Sequence, residues 1–185
     1  ITVVVFILFL LPFLPKSQGK MGFRNILKIF RYRAFWFMGA ITMFYSGGVT
    51  ILNGWLVSYF KEKGLSVPIG AVYLSFFWLG LMVGRFVLSW MVDRIGHLRM
   101  IQLNTIGGII FAALTISLPI SAILTPTLLF LTGFMLSTIM PTTLTYAVVN
   151  YPETASTASG WVLTNNGIAT LLFPWFGGIL ASLTS

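Results

Sequence analysis

Residues 69–99 read IGAVYLSFFWLGLMVGRFVLSWMVDRIGHLR, and this stretch decides the fold class. A bilayer core about 30 Å thick requires about 20 consecutive, mostly apolar residues in a helix. The run Ile69–Val92 meets that length, and its only charged side chain belongs to Arg85. The stretch therefore predicts a helix that crosses a membrane and ends at the charged residues Asp93 and Arg94.

The composition excludes a soluble protein. Of the 185 residues, 57% are hydrophobic and 8% are charged, and the mean hydropathy is +0.96. A soluble domain carries roughly 25% charged residues to cover its surface, so lipid must be the solvent of this chain. The same numbers exclude disordered, collagen-like and coiled-coil chains.

Few side chains are available for catalysis. The sequence has no cysteine, one histidine and three acidic residues, which are Glu62, Asp93 and Glu153. Without cysteine there is no disulfide framework, thiolate metal site or cysteine nucleophile. We therefore predict that the chain is not an enzyme, has no catalytic residue, and uses no metal or cofactor.

Apolar runs recur along the chain and predict an all-α, polytopic membrane helix bundle. Continuous runs favour helices, because the strands of membrane barrels are short and alternate in polarity. The opening run, residues 1–15, is too short to span alone and lacks the basic region of a signal peptide. Because the chain starts within one apolar run and stops close behind another, we expect a fragment of a longer membrane protein. The five complete predicted spans are residues 34–60, 69–92, 100–118, 127–149 and 157–183.

Basic residues predict the orientation of these spans. Six of the eleven basic residues lie in residues 16–33, and Arg94 and Arg99 lie in a loop that should emerge on the same side. Cytoplasmic loops carry an excess of Lys and Arg, so this side is predicted to be cytoplasmic. The net charge of +8 then reflects membrane topology, and we expect no nucleic-acid partner.

The segment 16–33 carries a helical pattern of its own. Lys20, Arg24, Lys28 and Arg31 recur at helical spacing on one face, opposite an apolar face. This pattern predicts an amphipathic helix on the membrane surface, with its basic face toward anionic lipid head groups. A solvated charge run before the next span is the alternative.

Polar and aromatic side chains inside the spans mark candidate binding positions. Tyr45 and Asn53 lie in the second apolar run, and Asn165, Asn166 and Trp175 lie in the last. An amide in the membrane is costly without a hydrogen-bond partner, so each Asn must face protein or water. Rings stack on the apolar face of a sugar while amides bond its hydroxyls, so this mixture suits a polyhydroxylated ligand. Hydrogen bonding between helices is the alternative.

Charged residues around the end of the span 69–92 predict a charge network. Asp93 lies at the helix end, with Arg94 and Arg99 around a short turn, so the three can form a charge network between adjacent helices. Arg85 lies eight residues before Asp93, about 12 Å along the helix axis. An arginine at that depth needs a carboxylate or carbonyl partner. Snorkelling of its side chain to the interface is the alternative.

The segment Ser89-x-x-x-Asp93-Arg94-x-Gly96-x-x-Arg99 resembles the cytoplasmic loop signature of the major facilitator superfamily, Gly-x-x-x-Asp-Arg-x-Gly-Arg-Lys. In that family the signature recurs, weakened, between the eighth and ninth helices of the second half. The sequence departs from it where serine replaces the first glycine and where two non-basic residues follow the second glycine.

Further stretches are similar to the fucose-permease-like branch of sugar symporters in that superfamily. They are residues 77–86, which resemble the eighth helix, and residues 140–142, 158–160 and 165–167, which resemble the tenth and eleventh helices. The resemblance implies a secondary active transporter that moves a small polar solute, such as a sugar, by alternating access. It also implies a multi-pass protein of a bacterial-type plasma membrane.

The resemblance implies a truncated second six-helix half of the fold. Residues 1–15 would be the end of the sixth transmembrane helix, residues 16–33 the basic cytoplasmic linker, and residues 34–185 a bundle of helices seven to eleven. The implied partners are membrane lipids, a small-molecule solute and the missing N-terminal half of the same transporter. A drug or metabolite exporter and a non-transporting membrane scaffold or sensor are the alternatives.

The resemblance also assigns two sets of site residues. Those that would line the substrate cavity are Tyr45, Asn53, Trp78, Asn165, Asn166 and Trp175. Those that would form the cytoplasmic gate are Gly84, Arg85, Asp93, Arg94, Gly96 and Arg99.

Overall fold

Helices account for nearly all of the part of the chain that the computed structural model describes, which is residues 31–184. The predictions for residues 1–15 and for most of 16–33 lie outside the described residues. No strand occurs between residues 31 and 184, so the all-α class is confirmed. The elements are α1 (Arg33–Glu62), α2 (Val67–Ile95), α3 (His97–Ser117), α4 (Leu124–Leu136), α5 (Ile139–Asn150), a 3₁₀ turn (Pro152–Thr154) and α6 (Ala155–Thr184).

Four segments are long and apolar enough to cross a membrane. They are α1, α2, α3 and the stretch Leu124–Asn150, which contains α4 and α5. The 30 residues of α6 extend about 45 Å at 1.5 Å per residue, which also exceeds the thickness of a bilayer core. The helices begin and end within a few residues of the five predicted spans.

The predicted span 127–149 is divided into α4 and α5 by a turn at Ser137 and Thr138. Pro141 explains the division, because proline lacks an N–H and its ring clashes with the carbonyl four residues earlier, here that of Ser137. The Ser137 hydroxyl donates to the carbonyl of Phe134 at 2.7 Å. The buried side-chain amide of Asn104 in α3 donates to the Thr138 hydroxyl. The turn is thus a hydrogen-bonded joint within the spanning segment.

Aromatic contacts show which helix ends meet. The rings of Tyr32 and Tyr151 lie 5.8 Å apart, and those of His97 and Tyr146 lie 6.4 Å apart. The start of α1, the α2–α3 turn and the end of α5 therefore share one end of the bundle. This is the arrangement that alternating loops predict. The basic residues of the described chain lie at that end of the bundle, apart from Lys61, Lys63 and Arg85.

The backbones of α2 and α4 touch. A Cβ atom placed on Gly80 would lie 2.0 Å from the carbonyl oxygen of Phe130, and one placed on Gly133 would lie 2.1 Å from that of Phe77. Gly84 packs in the same way, since a Cβ atom there would lie 2.5 Å from a carbonyl oxygen of α4. Small residues at such positions let membrane helices approach closely enough for extensive van der Waals contact.

A second close contact joins α1 and α6. The Trp161 indole packs on Gly39 and stacks on Phe35 with the ring centroids 4.9 Å apart. Its Nε1–H donates to the carbonyl oxygen of Phe35 at 3.0 Å. Further along the pair, the ring of Phe173 occupies the space in front of Gly47. The first and last helices of the described chain, α1 and α6, are therefore packed side by side.

The turn between α2 and α3 consists of one residue, Gly96. Its φ of +92° and ψ of +146° fall in a region that is essentially restricted to glycine. This conformation reverses the chain within a single residue and places α3 directly after α2. Gly96, assigned to the gate from the sequence, is thus required by the backbone geometry of the turn.

Substitution of Gly80 tests the α2–α4 contact. Gly80→Ala should lower the stability of the protein by about 1–3 kcal/mol, as overpacking of a filled interface does, because the new methyl group meets backbone atoms of α4. The control is Gly54→Ala, since a Cβ there meets no atom within 4 Å. The apparent melting temperatures of the purified variants provide the comparison. Equal melting temperatures for the two variants would contradict the packing described here.

Candidate solute cavity

One face of α2 carries both an aromatic and a charged side chain. Trp78 and Arg85 are seven residues apart, so they lie within about 20° of each other around the helix and about 10.5 Å apart along it. Ser89 follows four residues later on the same side. All three side chains are exposed, Trp78 to 49%. The opposite side of α2 carries the glycines that pack on α4.

Arg85 lies well inside the predicted membrane span formed by α2. The midpoint of α2 is Leu81, and Arg85 is four residues, or about 6 Å, from it toward the basic end. Its guanidinium group lies near the Tyr45 side chain of α1, close enough for an electrostatic interaction. The structure therefore brings Arg85, predicted as a gate residue, together with Tyr45, predicted as a cavity residue. The sequence did not reveal this pairing, since the two residues are on different helices.

A polar cavity of about 270 Å³ lies between α2 and α5. Arg85 and Asp93 line it from α2, and the hydroxyl side chains of Thr138, Thr142 and Thr145 line it from the joint and α5. Its other lining residues are Ser89, Val92, His97 and Pro141. Charged groups and hydroxyls thus face one space that extends from the middle of α2 to its basic end. The three threonines of this cavity were not among the predicted site residues. Their spacing of four and three residues, which places them on one helix face, was a signal for them.

The two asparagines of α6 contact α1. Asn165 is 8% exposed, and its side-chain amide donates to the carbonyl of Trp161 at 2.8 Å. The hydroxyl of Ser46 in α1 donates to the side-chain oxygen of the half-buried Asn166. Both amides therefore have hydrogen-bond partners, but only the bond of Asn166 joins two helices, whereas that of Asn165 lies within α6. Their assignment to the cavity stays a prediction.

The last two predicted cavity residues lie apart from this contact. The half-buried Asn53 donates its side-chain amide to the carbonyl of Val49, one turn earlier in α1, at 2.9 Å. Trp175 is 62% exposed and lies against the ring of Phe176, with the centroids 5.2 Å apart. The described contacts bring neither residue together with Arg85 or Trp78.

At the basic end, the predicted gate residues occupy different positions. Asp93 is exposed and lines the polar cavity. The guanidinium carbon of Arg94 lies 3.8 Å from the ring centroid of Trp90, which is a cation–π contact. Arg99 is exposed near the start of α3. The contact of Arg94 with Trp90 was missed from the sequence, although their spacing of four residues on a helix was a signal for it. The charge network among these residues stays a prediction.

A larger cavity of about 550 Å³ opens between α1 and α3, with apolar walls that include Phe37, Phe44 and Ile109. Tyr45 lines this space as well. In residues 31–184, no group of three His, Cys, Asp or Glu side chains is placed to bind a metal ion. The polar face of α2 and the cavity beside it are therefore the part of the described chain suited to a polar solute.

These features define an integral, multi-pass membrane protein with a polar cavity wall. The family model described as "Major Facilitator Superfamily" matches residues 1–174, so the chain belongs to that superfamily. The resemblance found in the α2–α3 segment is confirmed by this match.

Three relatives carry transporter names. The chain is 30% and 29% identical to two proteins named "Putative glucose/galactose transporter" from Helicobacter pylori strains J99 and 26695, over 92% and 93% of its length and 42% of theirs. It is 27% identical to a protein named "Gallate transporter" from Pseudomonas putida, over 91% of its length and 38% of the relative. The chain spans about two-fifths of the length of these curated relatives.

Removal of the Ser46 hydroxyl tests its bond with Asn166. Ser46→Ala should destabilise the protein by about 1–3 kcal/mol, because the Asn166 side-chain oxygen loses its donor inside the bundle. Thr50→Ala is the matched control on the same helix, since the Thr50 hydroxyl only donates to the carbonyl one turn earlier. Thermal denaturation of the purified variants should show a lower melting temperature for Ser46→Ala alone. A similar fall in melting temperature in both variants would mean that the bond between Ser46 and Asn166 does not contribute to stability.

Proposed function

We propose that this chain forms part of a secondary active transporter that moves a small polar solute, a sugar in the first instance, across a bacterial-type plasma membrane. The observation that carries the proposal is the face of α2 on which Trp78 and Arg85 are both exposed within the spanning region. Arg85 also lines a cavity whose other walls carry hydroxyl side chains. Membership of the superfamily and the names of the two Helicobacter pylori relatives support it.

In the proposed mechanism, the described bundle supplies one wall of the solute path and an N-terminal half supplies the other. The solute binds near the middle of the membrane between the halves, and a rocking movement exposes it to each side in turn. Trp78 and Tyr45 offer aromatic surface, and the threonine hydroxyls of α5 offer donors and acceptors. Membrane lipids surround the bundle, and residues 16–33 lie along the cytoplasmic surface.

The gate belongs to the basic end in this proposal. Asp93, Arg94 and Arg99 would hold the cytoplasmic ends of the helices together while the cavity faces outward, and would separate when it opens inward. The sequence contains three acidic residues, Glu62, Asp93 and Glu153, and none of them lies deep in a span. If transport is coupled to protons, the titrating acid of the transporter would therefore come from outside this chain.

An aromatic acid is the second candidate solute. The protein named "Gallate transporter" supports it, and so does the cationic Arg85 in the cavity wall, since gallate combines a ring, hydroxyls and a carboxylate. Export of a drug or metabolite would use the same aromatic surface. A scaffold or sensor built on this fold would show no solute flux.

Uptake measurements test the proposal. The complete gene product that contains this chain should be expressed in cells that lack hexose uptake, and labelled glucose, galactose and gallate should be supplied. Accumulation of one of these solutes above the empty-vector level supports transport. The variant Trp78→Ala should lower that uptake at unchanged abundance, whereas Ile106→Ala, an exposed apolar position on α3, should not. Protein that reaches the membrane and moves none of them would instead favour a scaffold or sensor.

The gate is tested separately by neutralisation of Asp93. Asp93→Asn should reduce the transport rate by roughly tenfold, as loss of one partner of a two-state charge contact shifts its equilibrium by about 1–3 kcal/mol. Glu62→Gln at the other end of the bundle is the matched control, because Glu62 is exposed at the end of α1. Initial uptake rates, normalised to protein in the membrane, give the comparison. An unchanged rate in Asp93→Asn would remove Asp93 from the gate.

A further inference from the structure

Arg85 is the one charged residue that the described spans place near the middle of the membrane. It lies about 6 Å from the midpoint of α2 and is exposed on the face that also carries Trp78. A charge at this depth is costly and is generally retained where it serves an ion or substrate path. The basic residues at both ends of the bundle need no such explanation, because they lie at the membrane surface.

Among residues 31–184, the groups around Arg85 do not cancel its charge. The nearby Tyr45 side chain carries an uncharged hydroxyl, as do the Ser89, Thr142 and Thr145 side chains of the cavity. Asp93 is the only carboxylate among the residues that line the cavity. It lies eight residues further along α2, about 12 Å away along the axis. The end of the cavity wall nearest the middle of α2 therefore presents a positive charge.

We propose that Arg85 binds the carboxylate of a hydroxylated acid whose ring packs on Trp78, so that the solute is a sugar acid and not a neutral sugar. This proposal rests on the transport function proposed above and specifies its substrate class. The planar guanidinium group matches a carboxylate with two parallel hydrogen bonds. The hydroxyl groups of the solute would face the threonines of α5.

The spacing along α2 suits such a solute. Trp78 and Arg85 are about 10.5 Å apart along the axis on the same side of the helix. A pyranose ring against the indole, with its carboxylate one bond from the ring, spans this distance together with the extended arginine side chain. A phosphate group would carry nearly two negative charges, and a single guanidinium would leave one of them without a counter-charge. The chemistry therefore favours a carboxylate.

The experiment compares ligands that differ in one group. Galactose, galacturonate and the methyl ester of galacturonate share the ring and differ at C6, so the ester removes the charge without altering the protein. Uptake of each is measured in cells that express the complete gene product. We expect galacturonate to be taken up about tenfold faster than galactose or the ester at equal concentration, as expected for a desolvated charge pair.

Variants of Arg85 test whether this residue causes the preference for galacturonate. Arg85→Gln should lower galacturonate uptake about tenfold or more and galactose uptake by a clearly smaller factor. Arg85→Lys should keep part of the preference for galacturonate because it keeps the charge. Lys61→Gln removes an exposed positive charge at the opposite end of the bundle and should change neither rate. Abundance in the membrane is measured for every variant.

Three outcomes would overturn the proposal. Galactose uptake with neither uptake of nor competition by galacturonate would reject the sugar acid and leave the transport function standing. An equal loss of both activities in Arg85→Gln, at normal abundance, would give Arg85 a general role in the gate. If no solute is moved, ligand binding to the purified protein decides whether an acid-binding site is present. A rise in melting temperature with galacturonate but not with its ester supports the acid site, and no rise with either rejects it together with sugar transport.

Discussion

The close approach of α2 and α4 is the constraint on which the rest of the structure depends. In a bilayer the hydrophobic effect does not drive helices together, since lipid is as apolar as the side chains, and association relies on packing and hydrogen bonds. Gly80, Gly84 and Gly133 bring the two backbones into contact. This contact fixes the rotation of α2 about its axis. The opposite face, with Trp78 and Arg85, is thereby turned away from α4.

Hydrogen bonds between helices add to the stability that backbone packing provides. A polar group in lipid requires a partner within the protein, and the described helices provide one between helices in several places. Asn104 bonds to Thr138 at the joint between α4 and α5, Ser46 bonds to Asn166 between α1 and α6, and Trp161 bonds to the backbone of α1. These bonds make the interior of the bundle specific. Near Arg85, the hydroxyls of Ser89 and Thr145 donate to carbonyls of their own helices and also line the cavity.

The sequence predicts the helices better than the partners of their polar residues. Apolar run length predicts each span to within a few residues, since the thickness of the bilayer sets it. The charged turn after α2 was identifiable because glycine and charged residues interrupt the apolar pattern. The bond between Ser46 and Asn166 was not predictable, because its two residues are 120 positions apart and their pairing depends on how α1 packs on α6. Because the sequence does not show this pairing, it could not distinguish between two roles for Asn166, which are a hydrogen bond between helices and a position in the cavity wall.

The central claim is that the Trp78 side of α2 lines a water-accessible solute path, and cysteine labelling tests it most directly. This chain contains no cysteine, so single cysteines can be placed in the complete gene product once any cysteine outside this chain is replaced. The test positions are Trp78, Met82 and Ser89, and the buried positions Phe77 and Leu88 are the controls. A water-soluble thiol reagent should modify the first three, and a transported solute should slow their modification. Equal labelling around the helix, or none at the first three positions, would contradict the account.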